Sequence, residues 1–358
     1  MKKTLILVCF ALSTFTSLSQ NLQDFERLKS VGEIPEFFIK YLDEKIETDK
    51  EIMKNNDIIS NKNAKDFSAT SNYQIQQIIR SGKVLYGDPL TVFANKVLDQ
   101  LNKASEEDLD YIQLYTLKNN EVNAFATDQG VIFITLGLLG QIENEAQLAF
   151  VLAHEITHVI ENHSQLKYQH TKDLSKGLTF KASKISDFFQ YSKENEQIAD
   201  KAGYELAIKA GYDANELFGT FNVLLYSYLP VDEYKIDFAW IENQGFKIEE
   251  KYMLEKPNKI SAQADVDDEF HTHPNIKNRR TNIEKLHSSH KNDKSLKIYI
   301  ASNKEEFKEV RDLARFGMMN TYVRNADYIR ALYHNLILQQ SFPNNTFLTN
   351  TQAMIWYG

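Results

Sequence analysis

The stretch from Asn144 to His163, NEAQLAFVLAHEITHVIENH, constrains this chain more than any other. Asn144 suits an N-cap, Gln147 three positions on completes a box-like cap, and apolar residues recur at helical spacing from Leu148 to Ile160. The pattern predicts one amphipathic helix. Within it lies His154-Glu155-Ile156-Thr157-His158, whose histidines sit one helical turn apart on one face and can reach a single Zn²⁺. Glu155, between them, points at the same ion and is placed to take a proton from a metal-bound water. Such a pentad also arises by chance, usually on a solvated face. Here it occupies the apolar middle of a capped helix, where two imidazoles and a carboxylate are costly to bury without a ligand. The expectation is one zinc per chain.

The N-terminus, MKKTLILVCFALSTFTSLSQ, joins Lys2 and Lys3 to an apolar run from Leu5 to Leu18 and a small-x-small site at Ser17-Leu18-Ser19. It reads as a secretory signal peptide over 1–19, with an uncleaved anchor as the alternative, and places the protein in the periplasm or outside the cell. Loss of the leader removes Lys2, Lys3 and the lone Cys9, leaving 39 basic against 49 acidic residues and a net charge of −10. With no cysteine left, neither a disulfide framework nor thiolate chemistry is open, so a metal must be held by His, Asp or Glu. The acidic balance argues against nucleic acid as a partner. No later apolar run approaches the roughly 18 residues of a transmembrane helix.

Upstream of the metal helix, residues 21–70 are charged and helical in period, strongest from Pro35 to Met53. Residues 55–72, rich in Asn, Lys, Ser and Asp, read as a loop. Asp88-Pro89 caps a helix to about Lys103, with Val92, Phe93, Val97, Leu98 and Leu101 as a core stripe. Three β runs follow: Tyr111–Leu117, Glu121–Ala126 and Val131–Thr135, with turns at Asn119-Asn120 and Gln129-Gly130. They are expected to form a meander leading straight into the metal helix. A peptide adding to its edge as an extra strand would lie across the metal, although an ordinary hairpin fits the pattern equally well.

Downstream, 164–192 keeps helical spacing and either covers the cleft or serves as a spacer. Lys193–Gly211 is a second amphipathic helix carrying Glu196 and Asp200, four apart on one face. In one large class of H-E-x-x-H enzymes the third ligand is a glutamate on a later helix, and an aspartate one turn on orients a liganding histidine. The class that uses a third histidine needs Gly and His where Glu161 and Ser164 stand, and His163 is one residue out of place. The Glu196–Asp200 pair is therefore taken as ligand and orienting partner, rather than as a solvated face. Residues 230–269 hold eleven acidic against five basic side chains and read as a surface excursion. His271 and His273-Pro274 follow; a histidine there could swing over a metal cleft or cap the next helix. Three helices close the chain, near 305–323, 326–341 and 346–357. Ala326, Tyr328, Ala331, Leu332 and Pro343 are similar to a tetratricopeptide-like helix pair, and the chain ends at Gly358 where a longer array could continue.

With these residues assembled, the chain resembles metallopeptidase family 48, the HtpX-like and CAAX-prenyl-protease-like zinc peptidases, over roughly Val84 to Leu286. The resemblance rests on Asn123-Ala124-Phe125-Ala126-Thr127, Gly130, Gly137-Leu138-Leu139, the expanded motif Leu148–His158, Glu196 to Asp200 with Gly203, Ala210-Gly211-Tyr212-Asp213, and His273-Pro274 followed by Arg280. It implies a mainly α fold with a small β-sheet (α+β, gluzincin-type) and endopeptidase activity with one zinc. Carried over, His154, His158 and Glu196 look like the ligands, Glu155 the general base and Asp200 the partner behind a ligand. Asn123, Ala124 and Phe125 resemble the strand that lines the substrate cleft. His273 matches a histidine near the metal that regulates access or assists the reaction, with His271 as its competitor.

The expected organisation is a signal peptide (1–19), an N-terminal helical region (20–83), a zinc metallopeptidase domain (84–290) and a tetratricopeptide-like tail (291–358). A leader with such a tail is similar to the periplasmic quality-control branch of the family. That implies polypeptide substrates: misfolded or assembling envelope proteins, outer-membrane proteins or their assembly machinery. The alternative is a chaperone or scaffold of envelope proteins whose protease site is latent or secondary. A zinc amidase acting on something other than peptide is disfavoured by the sheet edge.

Overall fold

A computed structural model of the chain describes residues 22, 25–42, 61–175, 182–229, 242, 244–245, 247–252, 262–265 and 275–358. The leader, most of the 230–269 stretch, His271 and His273 lie outside the described residues. Helices dominate and enclose one small sheet.

Helix α1 (Glu36–Leu42) precedes α2 (Asn61–Arg80), which takes in much of the stretch expected to be a loop. Its polar residues are not loop signals but buried partners of a turn in the sheet. Ser71 donates to Asp128, and Gln129 Nε2 donates to Asn72 Oδ1 at 3.1 Å. Ala64, Phe67 and Ile75 bury the apolar part of the same helix face. Helix α3 (Pro89–Ala104) starts as its residues dictate: Asp88 Oδ1 accepts from Leu90 N and Thr91 N, and Pro89 occupies the first turn, where no amide is needed.

The sheet contains β1 (Val84–Leu85), β2 (Gln113–Leu117), β3 (Ala124–Ala126) and β4 (Val131–Thr135), in the order β1-β2-β4-β3. It is not a meander. β4 lies parallel to β2, with Gln113 opposite Val131 and Leu117 opposite Thr135, and antiparallel to β3, with Phe125 opposite Phe133. The expected return of the chain onto β2 is replaced by a crossing over the end of β4. The reason is visible in β4 itself: all five residues of VIFIT are buried, as a central strand requires, whereas Ala124–Ala126 are half-buried at the edge. Thr135 fastens the crossing, its hydroxyl donating to Glu121 O at 2.6 Å and accepting from Asn123 N at 3.1 Å. Gly137 permits it, since a Cβ there would come within 2.3 Å of the carbonyl oxygens of Asn120 and Glu121.

After β4 come α4 (Leu136–Gln141), α5 (Glu145–Ile160), α6 (His163–Ser175), α7 (Ala182–Lys209) and α8 (Ala214–Leu225). α9 (Ile276–His290) precedes the last three helices, α10 (Lys304–Arg324), α11 (Tyr328–Ser341) and α12 (Thr346–Tyr357). α10 packs on α4, and Arg315 Nε donates to Gly140 O at 2.9 Å. Residues of this tail, among them Phe307, Phe316 and Leu348, share one continuous apolar cluster with Leu148, Leu152 and Ile156 of α5. A second tie is polar. The fully buried carboxylate of Glu145, in the first turn of α5, accepts from Tyr212 Oη at 2.8 Å, Ile300 N at 2.9 Å and Ala301 N at 2.7 Å, and from Ser302 Oγ. Among the described residues no helix is long and apolar enough to cross a membrane.

Candidate metal centre

Helix α5 carries the first half of the site and is capped nearly as its residues imply. Asn144 Oδ1 accepts from Gln147 N at 3.1 Å, while the Gln147 side chain reaches back to Glu143 N at 2.8 Å, one residue before the cap. The helix is buried almost all round, and at its centre His154, Glu155 and Thr157 are each less than a tenth exposed. α7 supplies the second half by packing against α5. Gly203 makes the approach possible, because a Cβ there would lie 2.7 Å from His154 N.

This crossing brings three side chains together. His154 Nε2 lies 3.1 Å from His158 Nε2, and Glu196 places Oε2 3.6 Å from the first and Oε1 3.5 Å from the second. One ligand atom from each of the three lies within 4.8 Å of the others. Zinc held tetrahedrally at about 2.0–2.1 Å from nitrogen or oxygen requires its ligand atoms to be about 3.4 Å apart. The spacing and the donor types therefore fit zinc. Glu155 is buried on the same helix between the two histidines.

Behind the ligands the other nitrogen of each imidazole faces a polar group. His154 Nδ1 faces Asp200 Oδ1 at 3.0 Å, which leaves Nε2 to turn inward. Asp200 is fully buried and is gripped by Arg279 of α9, from Nε at 2.8 Å and Nη2 at 2.6 Å. Burial alone would raise the Asp200 pKa, but the Arg279 charge and its hydrogen bonds outweigh it and hold the carboxyl below its usual range. Burial likewise opposes a charge on His154, yet Asp200 and Glu196 together lift it to about 10 in the metal-free protein. Five charged or polar groups thus form a row, with Asp200, His154 and Glu196 buried between the half-buried Arg279 and His158.

Two residues of this site went unread in the sequence. Arg279, rather than its neighbour Arg280, engages Asp200; Arg280 turns to Asn222. His163, set aside because it is out of place for a third-ligand histidine, instead backs His158, with the two Nδ1 atoms 2.8 Å apart. Asn162 places it there. Its φ of 52° ends α5 in the left-handed conformation that asparagine tolerates, and α6 begins at the next residue, folded back towards the metal helix. His163 is 5% exposed, and burial pushes its pKa down to about 4, with Glu196 opposing the shift and the His154 charge adding less to it. A histidine just past the helix end, in otherwise apolar spacing, was the signal available.

Of the cleft residues, Asn123 is tied to Thr135, while Ala124 and Phe125 sit half-buried in β3, the sheet edge that packs on α5. His273 lies outside the described residues.

The sequence is 24% identical over 168 residues to the beta-barrel assembly-enhancing protease of Yersinia pestis, covering 40% of this chain and 35% of that protein. It is 26% identical over 166 residues to the Escherichia coli K12 protein of the same name, covering 39% and 34%. It is 29% identical over 151 residues to the mitochondrial metalloendopeptidase OMA1 of Schizosaccharomyces pombe, covering 36% and 44%. Each match thus spans less than half of the curated relative. The sequence profile of peptidase family M48 covers residues 94–187 and 168–287, more than half the chain and every residue of the row just described. The chain belongs to peptidase family M48.

Proposed function

We propose that this chain is a zinc-dependent endopeptidase working outside the cytoplasm on misfolded or assembling envelope proteins. The observation that carries the reading is the convergence of His154 Nε2, His158 Nε2 and the Glu196 carboxylate at tetrahedral spacing beside a buried Glu155. These three would hold the metal. Zinc, when bound, supplies a Lewis acid for the scissile carbonyl and lowers the pKa of a water towards about 7.

The chain's own residues do the rest. Glu155 takes the proton of the attacking water and hands it to the leaving amine. Asp200 and His163 engage the outer nitrogens of the two histidines and so keep both Nε2 lone pairs aimed at one point. Asn123, Ala124 and Phe125 offer the edge of β3, which pairs with no further strand among the described residues, to the backbone of an extended polypeptide. His273 is the candidate donor to the oxyanion, on the strength of its sequence position alone. The leader-like run over 1–19 supports a place outside the cytoplasm. The names of the bacterial relatives support envelope proteins as substrates.

Elemental analysis of the purified chain, run beside casein cleavage with and without a chelator, tests the proposal. One zinc per chain with chelator-sensitive cleavage is expected. Absence of zinc, or cleavage indifferent to the chelator, overturns it.

A further inference from the structure

The cleft that stands out away from the metal centre has a volume of about 980 Å³ and opens between the 118–122 crossing and helices α10 and α11. None of His154, His158 or Glu196 lines it. Its walls hold five basic side chains against two acidic ones, in a chain whose net charge is −8. One basic group is already paired, Arg330 with Asp327. The others, Arg27, Lys83, Lys118 and Arg324, have no ion-pair partner among the described residues, and Glu121 is the one carboxylate left on the wall. Burial and the like charge of Arg324 push the Lys118 ammonium down, with Asp88 offsetting part of this. Arg27, Lys83 and Arg324 are exposed and Lys118 is half-buried, so together they give the concavity a positive potential that draws in an anion.

A second observation points the same way. His334 is 3% exposed and lines the cleft, yet its Nδ1 has no hydrogen-bond partner among the described residues. Buried polar atoms in folded proteins are almost always satisfied, and an imidazole carrying its proton on Nδ1 can donate to an anion, so this nitrogen marks a place where an acceptor binds.

We propose that this cleft binds carboxylate groups of a polypeptide, engaging an acidic segment of the same chain whose backbone lies along the edge of β3. The connection is topological. The lining runs to Val122, and β3 begins at Ala124, so a strand paired to that edge and continuing past the start of β3 enters the cleft within a few residues. Lys118, on the segment that leads into β3, and Arg324, at the end of α10, then meet its side chains. The cleft would select, among unfolded substrates, those with acidic residues at a set distance from the bond cut. This rests on the peptidase reading only for the identity of the polypeptide as substrate.

The test uses the full chain carrying Glu155→Gln, so that no probe is consumed, and a fluorescein-labelled hexaglutamate peptide followed by anisotropy. Saturable binding that weakens as salt is raised is expected, with none for hexalysine. Lys118→Gln with Arg324→Gln should weaken it about tenfold, the scale of two part-exposed charge pairs, while melting temperature and zinc content stay unchanged. In the otherwise wild-type enzyme the same pair should raise KM for an acidic unfolded protein and leave kcat alone. No saturable binding, or binding unchanged in the double variant, overturns the proposal. Displacement by an equimolar amount of inorganic phosphate also overturns it, by making the cleft a site for small free anions. A chain without zinc would defeat the peptidase reading yet leave the anisotropy result to stand or fall by itself.

Discussion

Arg279 donates to both oxygens of Asp200, at 2.8 and 2.6 Å, and Asp200 in turn lies 3.0 Å from His154 Nδ1. A guanidinium on α9 therefore sets the orientation of a metal-binding imidazole on α5 through a carboxylate on α7. Three helices far apart in sequence meet at one buried charge. Arg279 is also stacked over the Phe221 ring, 5.3 Å from its centroid, which keeps the fork in place.

Arg279→Met should leave Asp200 as a buried charge without its main partner. A loss of about 3 kcal/mol or more in stability is expected, read by urea unfolding of the metal-free protein. Asp200→Asn removes the charge and replaces one acceptor oxygen with a donor amide nitrogen, and should lower zinc affinity by about ten- to a hundredfold in competition with a chelating dye. Unchanged affinity in Asp200→Asn would refute the orienting role.

Glu155→Gln keeps the size of the side chain and removes its basicity. Zinc content should stay at the wild-type level while cleavage of an unfolded protein falls about 10²- to 10⁴-fold. Undiminished cleavage would rule out Glu155 as the proton acceptor.

His163→Ala takes away the group that faces His158 Nδ1 at 2.8 Å. Zinc affinity should fall by about tenfold, and His163→Gln, which keeps a polar atom in reach, should restore part of it. Equal affinity in wild type and His163→Ala would reduce His163 to a packing residue.

His334 predicts a pH dependence. Burial, helped by the charges of Arg315 and Arg330, lowers its pKa in the folded protein to about 4 from an ordinary 6.5. A folded pKa below the unfolded one favours the neutral ring, so the contribution is present in full above about pH 6.5 and is lost as pH falls towards 4. It amounts to at most about 3 kcal/mol. His154, shifted the opposite way, contributes below its unfolded pKa and loses that only as pH rises towards 10, so it adds no slope in this window. Between neutral pH and about 4, metal-free wild type should lose more stability than His334→Leu in paired urea titrations. Parallel losses would refute the assignment.

What this sequence determined by itself is local chemistry. The Asn144 cap, the apolar period of α5 and the His154-Glu155-His158 spacing all act within one or two helical turns, so their geometry follows from helix dimensions alone. Glu196 and Asp200 were legible for the same reason, one turn apart on one face of α7. The tertiary structure decided whatever depended on which distant segments meet. The 118–122 crossing puts β4 between β2 and β3, because its two buried faces compete for the centre of the sheet over a range that periodicity does not report. Helix α2 forms from polar residues because the 128–129 turn satisfies them, and that partner lies more than fifty residues away. Arg279 was indistinguishable from Arg280 in sequence, since only the docking of α9 on α7 selects which of two adjacent side chains points at Asp200. His163 required the left-handed Asn162, a single backbone torsion that no periodic pattern encodes. Hydrogen bonds and ion pairs of this kind hold across the interior only once packing has removed water from them, and packing is a property of the whole chain.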